Sequence, residues 1–211
     1  MSEIVLYDYW RSSAAYRVRI ALELKGVPFV RAPVNIAQGE QHGADFAALN
    51  PQHLVPALAI DGHVLTQSLA IIDYLDAKYP DPPMVSADPV ERSRTLAQAL
   101  TIAADIHPLD NLRVLAYLRE RLGQDDAAVA TWYRHWIAEG FAALETAAPA
   151  EGLFGGAAPN MADVCLVPQM ANARRFDTPL GAYPKLVRID AALRALPAFE
   201  RASPDAVGPP A

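Results

Sequence analysis

The chain opens with short apolar runs separated by polar residues, glycine and proline. Residues 3–9 are β-branched and aromatic without a breaker, which predicts a strand. Residues 14–25 carry apolar side chains three to four positions apart, which predicts a helix. Ser12 or Ser13 is suited to cap the start of this helix, and Gly26 is suited to end it. The first strand and the first helix therefore meet at a pair of serines.

A hairpin and a closing helix complete the N-terminal region. The elements predicted after the first helix are a strand at 28–34, a short helix at 43–49, strands at 54–60 and 63–65, and a helix at 69–78. Asp61 and Gly62 separate the last two strands and are a strong hairpin signal, because both tolerate the positive φ angles of a two-residue turn. The order β-α-β-α-β-β-α predicts a compact α/β domain.

A proline-rich break at residues 79–83 separates this region from a helical one. Such a stretch is stiff and extended, and we place the domain boundary there. Alanine, which has the highest helix propensity, is concentrated after residue 87, and the pattern is helical from about residue 89 onward. The predicted breaks in this part lie at 123–126, 149–160 and 177–184, followed by a loose tail at 203–211. The chain is therefore predicted to form an α/β domain over 1–82 and an all-α domain over 88–211.

Composition and charge mainly exclude certain classes of protein and of binding partner. The chain is 52% hydrophobic and 20% charged, which is ordinary for a globular protein. It has neither an apolar run of the roughly 20 residues that a membrane span needs nor a recognisable secretory signal. A net charge of −6 argues against nucleic acid and anionic membranes as partners. The one cysteine, Cys165, rules out a disulfide framework and a multi-cysteine metal site, so we expect a cytoplasmic protein without metal.

Two of the predicted helix starts carry side chains that could bind a ligand. A helix N-terminus presents unsatisfied N–H groups and a partial positive charge, which favour an anion or a thiolate. Ser12 and Ser13 stand at one such start, and Gln67 and Ser68 stand at the other. They could hold a ligand with a thiolate at one end and a carboxylate at the other. The alternative is that the serines only cap helices.

Pro56 lies just before a predicted strand of the sheet, where it removes a hydrogen-bond donor from the ladder. A cis bond between Val55 and Pro56 would expose the backbone of Val55 to a ligand. Bonds preceding proline are cis in only about 5–6% of cases in folded proteins, so the local sequence leaves the isomer open.

An ordered series of short motifs resembles the zeta class of glutathione transferases. The motifs lie at 9–13, 17–22, 49–51, 55–58, 67–72, 74–75, 105–108, 160–163, 166–169, 172–176 and 183–184. No single motif is decisive, but their order and spacing are specific, and the resemblance covers residues 3–205. That class includes maleylacetoacetate isomerases and bacterial glutathione-dependent maleylpyruvate isomerases. It implies a thioredoxin-like N-terminal domain, a helical-bundle C-terminal domain and a homodimer.

The resemblance also implies roles for individual residues. Ser12 and Ser13 would activate the glutathione thiol, Val55 would pair its backbone with the cysteinyl part, Gln67 and Ser68 would hold the γ-glutamyl end, Gln41 would contact the glycyl end, and His107, Asn111, Leu112 and Arg113 would face the glutathione site. The chain departs from the family at Ala14, where cysteine is frequent. This excludes thiol redox chemistry at that position but spares isomerisation, whose nucleophile belongs to glutathione.

Arginines indicate the substrate. Arg11, Arg113 and either Arg174 or Arg175 come from separate segments that the implied fold would bring to one cleft, and the resemblance favours Arg175 of the adjacent pair. Maleylacetoacetate and maleylpyruvate carry two carboxylates, which arginine binds in a bidentate fork. The alternative is that these arginines are solvated or paired with acids, Arg113 with Asp110 and Arg175 with Asp177.

The resemblance implies a glutathione-dependent cis–trans isomerase that acts by thiolate addition, rotation and elimination. Two alternatives remain: a general glutathione transferase or dehalogenase of small electrophilic acids, and a non-catalytic binding module. The sequence does not separate maleylacetoacetate, an intermediate of tyrosine breakdown, from maleylpyruvate of gentisate-type aromatic breakdown. Away from the site, Cys165 is expected to be a buried small hydrophobe, and Asn160 with Asp163 a helix-capping pair.

Overall fold

The computed structural model describes residues 3–209 and divides them into two compact units. The first unit comprises the described residues up to Pro83 together with those from Ala195 onward, and the second unit is Met84–Arg194. No helix within residues 3–209 is both long and apolar enough to cross a lipid bilayer.

The first unit contains the predicted α/β elements in the predicted order. They are β1 (Val5–Asp8), α1 (Ser13–Leu24), β2 (Val30–Pro33), a 3₁₀ turn (Glu40–His42), α2 (Ala44–Leu49), β3 (Ala57–Ile60), β4 (His63–Thr66) and α3 (Ser68–Lys78). The sheet order is β2-β1-β3-β4, with β1 parallel to β2 and the other pairs antiparallel. The predicted hairpin is confirmed, and Asp61 and Gly62 adopt φ angles of 53° and 79°.

The sheet has apolar side chains on both faces. Leu6 lies opposite Leu58, both are fully buried, and neighbouring strand residues point to the other face. On that other face, Tyr7 packs with Ala57 and with Phe46 of α2, whose ring centroid lies 6.3 Å from that of Tyr7. The first unit is therefore a layered α/β structure, as the thioredoxin-like prediction requires.

The C-terminal segment corrects the predicted domain assignment. Residues from Ala195 onward, which we predicted to belong to the helical domain, pack with the first unit and form α9 (Pro197–Arg201) and α10 (Pro204–Val207). The predicted loose tail is therefore wrong for residues 203–207. Residues 210–211 of that prediction lie outside the described residues.

Buried polar groups of the first unit explain this packing. Arg19 is fully buried and donates from Nη1 to Asp8 at 2.7 Å and from Nε to the carbonyl oxygen of Ala202 at 2.8 Å. The Tyr16 hydroxyl donates to the carbonyl oxygen of Phe199 at 3.2 Å. A buried guanidinium needs partners for its donors, and the C-terminal segment supplies one of them.

The second unit is helical, as predicted. Its elements are α4 (Pro89–Leu100), a π-helical segment (Thr101–Ile106), α5 (Leu112–Glu120), α6 (Asp126–Ala147), α7 (Met161–Arg175) and α8 (Pro184–Arg194). Its buried centre is α7, in which Cys165 is fully buried as predicted. The capping prediction at its start is also confirmed: Asn160 accepts from the N–H groups of Ala162 and Asp163, and Asp163 accepts from that of Asn160.

Candidate active site

Strand register brings three loops to one end of the sheet. Tyr7 near the end of β1 lies opposite Ala57 at the start of β3, and Ala57 lies opposite Thr66 at the end of β4. Because β3 is antiparallel to both neighbours, the residues after β1, before β3 and after β4 leave the sheet at the same end. Both serine-bearing helix starts therefore lie at this end, which we call the site end of the sheet.

Ser12 is the cap of α1. Its backbone is extended (φ −69°, ψ 120°), and its Oγ accepts from the N–H of Ala15 at 3.2 Å. Ser13 is the first residue of the helix and is buried, with 6% of its surface exposed. A capping hydroxyl uses a lone pair to accept from the helix and keeps its own O–H to donate. Capping and ligand binding are therefore compatible roles for Ser12.

The start of α3 has an unusual backbone. Gln67 precedes the helix with φ +68° and ψ 114°, outside the ordinary regions for a residue with a Cβ, and its side chain does not cap the helix. Its Nε2 donates instead to Oε1 of Gln52 at 3.0 Å. Ser68, the first helical residue, is buried. Strained backbone of this kind costs roughly 1–3 kcal/mol and concentrates at ligand sites.

A buried arginine joins the two helix starts. Arg17 of α1 is 1% exposed and donates from Nη1 to Oγ of Ser68 at 3.3 Å. Its cation adds to the partial positive charge of the α3 N-terminus, which favours a carboxylate at Ser68. Arg17 is not among the site residues predicted from the sequence. The sequence signal that could have indicated Arg17 was its position within the run of residues that pack α1 into the core.

Gln41 lies on the 3₁₀ turn, and His53 links it to the loop that precedes β3. His53 Nδ1 donates to the backbone carbonyl oxygen of Gln41 at 2.9 Å, and Gln52 beside it accepts from Gln67. The Oε1 atom of Gln41 is buried and has no hydrogen-bond partner among residues 3–209. The Val55–Pro56 bond of this loop is cis, the isomer that would expose the backbone of Val55 to a ligand.

Arg11 precedes the α1 cap. Its side chain is exposed, and the guanidinium carbon lies 4.2 Å from the centroid of the Trp10 ring. Six of the seven first-unit candidates lie next to the site end of the sheet: Arg11, Ser12, Ser13, Val55, Gln67 and Ser68. The seventh, Gln41, contacts His53, whose neighbour Gln52 accepts a hydrogen bond from Gln67.

In the second unit, one turn carries four of the candidates. His107 directly follows the π-helical segment, and Asn111 caps α5 by accepting from the N–H of Arg113 at 3.1 Å. Leu112 and Arg113 are exposed. The pairing of Arg113 with Asp110 that the sequence left open is absent, since neither carboxylate oxygen of Asp110 has a hydrogen-bond partner within the described chain.

The adjacent arginines at the end of α7 have different surroundings. Arg174 pairs with the buried carboxylate of Asp190, which also accepts from Arg194 at 3.1 Å. Arg175 is exposed, its guanidinium carbon lies 5.0 Å from the Phe176 ring centroid, and it has no ion pair with Asp177 in the region that the structure describes. Of the two, Arg175 is the one that keeps its charge for a ligand.

The chain is similar to known proteins over almost its whole length. The model of the glutathione S-transferase N-terminal domain matches residues 11–78. A probable maleylacetoacetate isomerase of Vibrio cholerae is 50% identical in an alignment of 210 positions that covers 97% of each chain. A holo structure of a maleylpyruvate isomerase, described as a bacterial zeta-class glutathione S-transferase, is similar with a TM-score of 0.94 at 45% identity and covers 96% of this chain and 97% of its own.

A second solved structure is similar over the same extent. It is a maleylacetoacetate isomerase from Methylobacterium extorquens AM1 with bound malonate and glutathione, with a TM-score of 0.93 at 38% identity, covering 98% of this chain and 100% of its own. Both the fold and the near-complete coverage therefore agree with the motif series. The chain belongs to the zeta class of glutathione transferases, the family of the maleylacetoacetate and maleylpyruvate isomerases.

Proposed function

We propose that the chain is a glutathione-dependent cis–trans isomerase that converts a maleyl dicarboxylate, maleylacetoacetate or maleylpyruvate, into its fumaryl isomer. The observation that carries the proposal is the meeting of two serine-bearing helix starts, at Ser12 and Ser68, at one end of one sheet. The names of full-length relatives support the reaction, and bound malonate in one of them supports a dicarboxylate site.

The first unit offers groups that fit glutathione. This tripeptide carries a carboxylate at each end, an amine at one end and a thiol in the middle. Ser68, the α3 N-terminus and Arg17 together favour a carboxylate, and Gln67 supplies polar groups beside them. Gln41 has a buried side-chain oxygen without a partner within residues 3–209, which can accept from the peptide N–H of the glycyl residue at the opposite end. Val55 supplies backbone groups between these points.

In this proposal, Ser12 and Ser13 stabilise the negative charge on the sulfur atom of glutathione. When bound, glutathione supplies the thiolate that adds to the cis double bond and leaves after rotation. The O–H of Ser12 is free to donate because its acceptor role toward Ala15 uses only a lone pair. The α1 N-terminus adds a partial positive charge at the same point. These groups favour the ionised thiol at neutral pH.

Arginines recognise the substrate in the proposal. Arg11, Arg113 and Arg175 are exposed and have no ion pairs among the described residues, so their charges can serve two substrate carboxylates and the keto oxygen on which charge develops. His107, Asn111 and Leu112 complete the contacts proposed for the second unit. Ala14 in place of a cysteine leaves the nucleophile to glutathione alone.

Assembly and location belong to the same proposal. We expect a homodimer, in keeping with the family, and a mass measurement in solution will test it. We also place the reaction in the cytoplasm, where glutathione keeps thiols reduced. The physiological substrate is either of the two maleyl acids, and the ratio of their kcat/KM values decides between them.

Substitution of the serines tests the thiolate role. Ser12→Ala with Ser13→Ala is expected to lower kcat/KM by about 10²–10³-fold, because donors to a charged centre are lost. Ser203→Ala is the matched control, since Ser203 caps α10 by accepting from the Ala206 N–H at 3.1 Å, just as Ser12 caps α1. Both variants lose a cap worth about 1 kcal/mol, but only the first loses activity. Equal activity in the two variants would remove the serines from the mechanism.

A further inference from the structure

Arg17 is a buried cation where α1 meets the start of α3. It directly precedes Val18, which is fully buried, and only 1% of its own surface is exposed. Removing a guanidinium from water is costly, whereas an apolar side chain could fill the same space without that penalty. Packing alone therefore does not account for an arginine at this position.

The hydrogen bond of Arg17 determines what Ser68 can offer a ligand. Nη1 of Arg17 donates to Oγ of Ser68 at 3.3 Å. A guanidinium has donors only, so the serine oxygen accepts in this bond, and the serine O–H must donate in another direction. A hydroxyl that accepts from a cation is polarised and becomes a stronger donor. Arg17 thus makes Ser68 a directed donor at the first residue of α3.

The donors at this helix start fit a carboxylate rather than an amine. The N–H groups in the first turn of a helix have no partners within the helix, and the Ser68 O–H adds a donor beside them. Gln67 differs, because its Nε2 donates to Oε1 of Gln52 at 3.0 Å, which leaves its own Oε1 to accept from an ammonium group. The carboxylate and the amine of a γ-glutamyl residue therefore have separate partners.

We propose that Arg17 is a positioning residue for Ser68 and thereby makes the site selective for thiol peptides that carry the α-carboxylate of a γ-glutamyl residue. This inference rests on the proposed function, because it needs glutathione to bind at the start of α3. Arg17 acts through the Ser68 hydroxyl, whose O–H it directs toward the carboxylate. Without Arg17 the hydroxyl can rotate, and the carboxylate loses an oriented donor.

A purely structural role for Arg17 predicts a different outcome. The same two helices are joined a second time, because Nζ of Lys25 at the end of α1 donates to Oδ1 of Asp76 in α3 at 2.6 Å. Both links join residues that are 51 positions apart in sequence, but the Lys25 link lies away from the first residue of α3. Lys25→Met is therefore the matched control, since it breaks a polar link between α1 and α3 and leaves Ser68 unchanged.

Three S-methylated peptides test the inference, because a blocked sulfur can neither titrate nor react. S-methylglutathione is compared with an analogue that lacks only the α-carboxylate of its γ-glutamyl residue and with another that lacks only the α-amine. Calorimetric Kd values at pH 7 give the preference of each protein for the carboxylate and for the amine. The native chain should bind S-methylglutathione about 10–100-fold more tightly than the analogue without the carboxylate, the range of a hydrogen bond to a charged group.

Arg17→Met should lower the carboxylate preference about five- to tenfold, because the Ser68 hydroxyl loses the bond that orients it. Its preference for the amine should stay within about twofold of the native value, since Gln67 and Gln52 are unchanged. Lys25→Met should lower the urea midpoint and keep both native preferences. A native carboxylate preference in Arg17→Met, an equal loss in Lys25→Met, or no such preference in the native chain would each overturn the inference.

A double-mutant cycle shows whether Arg17 acts through Ser68. In the Ser68→Ala background, Arg17→Met should change the carboxylate preference by less than about twofold, because the hydroxyl that it orients is gone. Additive losses would mean that the cation acts on the ligand directly and would overturn the positioning role. Arg17→Lys keeps a cationic donor without the planar fork, so its preference should lie between those of the native chain and Arg17→Met. A value outside this range would contradict the inference, and Arg17→Lys carries the same cycle if Arg17→Met does not fold.

The proposed function is judged separately, by turnover of maleylpyruvate with glutathione at pH 7. Where the native chain turns over, Arg17→Met should raise KM for glutathione and leave kcat within about threefold, because the Ser68 contact is made before and during the reaction. Turnover together with an unchanged carboxylate preference in Arg17→Met would remove the positioning role and keep the isomerase. Absence of turnover together with the expected preferences would remove the isomerase and keep the role of Arg17 in glutathione binding.

Discussion

Arg174 and Arg175 are adjacent in sequence but have different surroundings in the folded protein. Arg174 and Arg175 have the same chemistry, but the helix turns them to different partners. Arg174 meets the fully buried Asp190, while Arg175 meets Tyr133 and the ring of Phe176. Aromatic contact orients a guanidinium without neutralising it, whereas a carboxylate neutralises it. Ligand binding is therefore assigned to Arg175 and structural pairing to Arg174.

Parallel substitution of the two arginines tests this assignment. Arg175→Met is expected to lower kcat/KM for the maleyl substrate by about 10–100-fold, with most of the loss in KM, because a carboxylate contact disappears. Arg174→Met should keep kcat/KM and cost about 1 kcal/mol in unfolding free energy, since Asp190 retains Arg194. Steady-state kinetics and urea unfolding measure both quantities. Loss of activity in Arg174→Met alone would reverse the assignment.

The sequence predicted those residues whose structural role depends on local structure. Ser12 and Asn160 cap helices because helix-forming residues come directly after them in the chain, and such signals are local. Arg17 escaped prediction for the opposite reason. Its significance comes from burial and from a partner that it meets only in the folded protein. Nothing in the neighbouring sequence marks a polar residue as buried.

Between elements, a close approach of α6 to the π-helical segment shapes the second unit. A Cβ added at Gly140 of α6 would lie 2.3 Å from Cδ1 and 2.4 Å from Cγ1 of Ile106, which is buried. Periodicity predicted helix here but not the change from α to π geometry, because an extra residue in one turn leaves little trace in an alanine-rich pattern. The absence of a side chain at Gly140 permits the contact.

Gly140→Ala tests this packing. Alanine favours a helix by about 1 kcal/mol over glycine, but the clash with Ile106 should outweigh this and leave a net loss of about 1–3 kcal/mol in unfolding free energy. Ile106→Ala removes both Cδ1 and Cγ1, the two atoms nearest to the added Cβ. In the Gly140→Ala background, Ile106→Ala should therefore cost less than it does alone, as a double-mutant cycle will show. Strict additivity of the two changes would contradict the clash.

Over the length of the chain, contacts far apart in sequence decide which unit a segment joins. Arg19 reaches Ala202 across 183 residues, and Arg31 donates to the carbonyl oxygen of Val207 at 3.1 Å across 176. Proline and glycine in the final segment indicated a loose tail, because composition reports only local preference. Asp8, fully buried, binds both arginines and fixes where their remaining donors point. Such a network is invisible in the pattern of residues along the chain.

The proposed reaction turns over a maleyl acid without consuming glutathione. The decisive measurement follows maleylpyruvate with a small, substoichiometric amount of glutathione, and quantifies both the product and the free thiol. We expect fumarylpyruvate over many turnovers, no reaction without glutathione, and an unchanged thiol concentration at the end. Consumption of one glutathione per substrate would instead indicate a transferase, and an unreacted substrate, with maleylacetoacetate equally inert, would contradict catalysis of this isomerisation altogether.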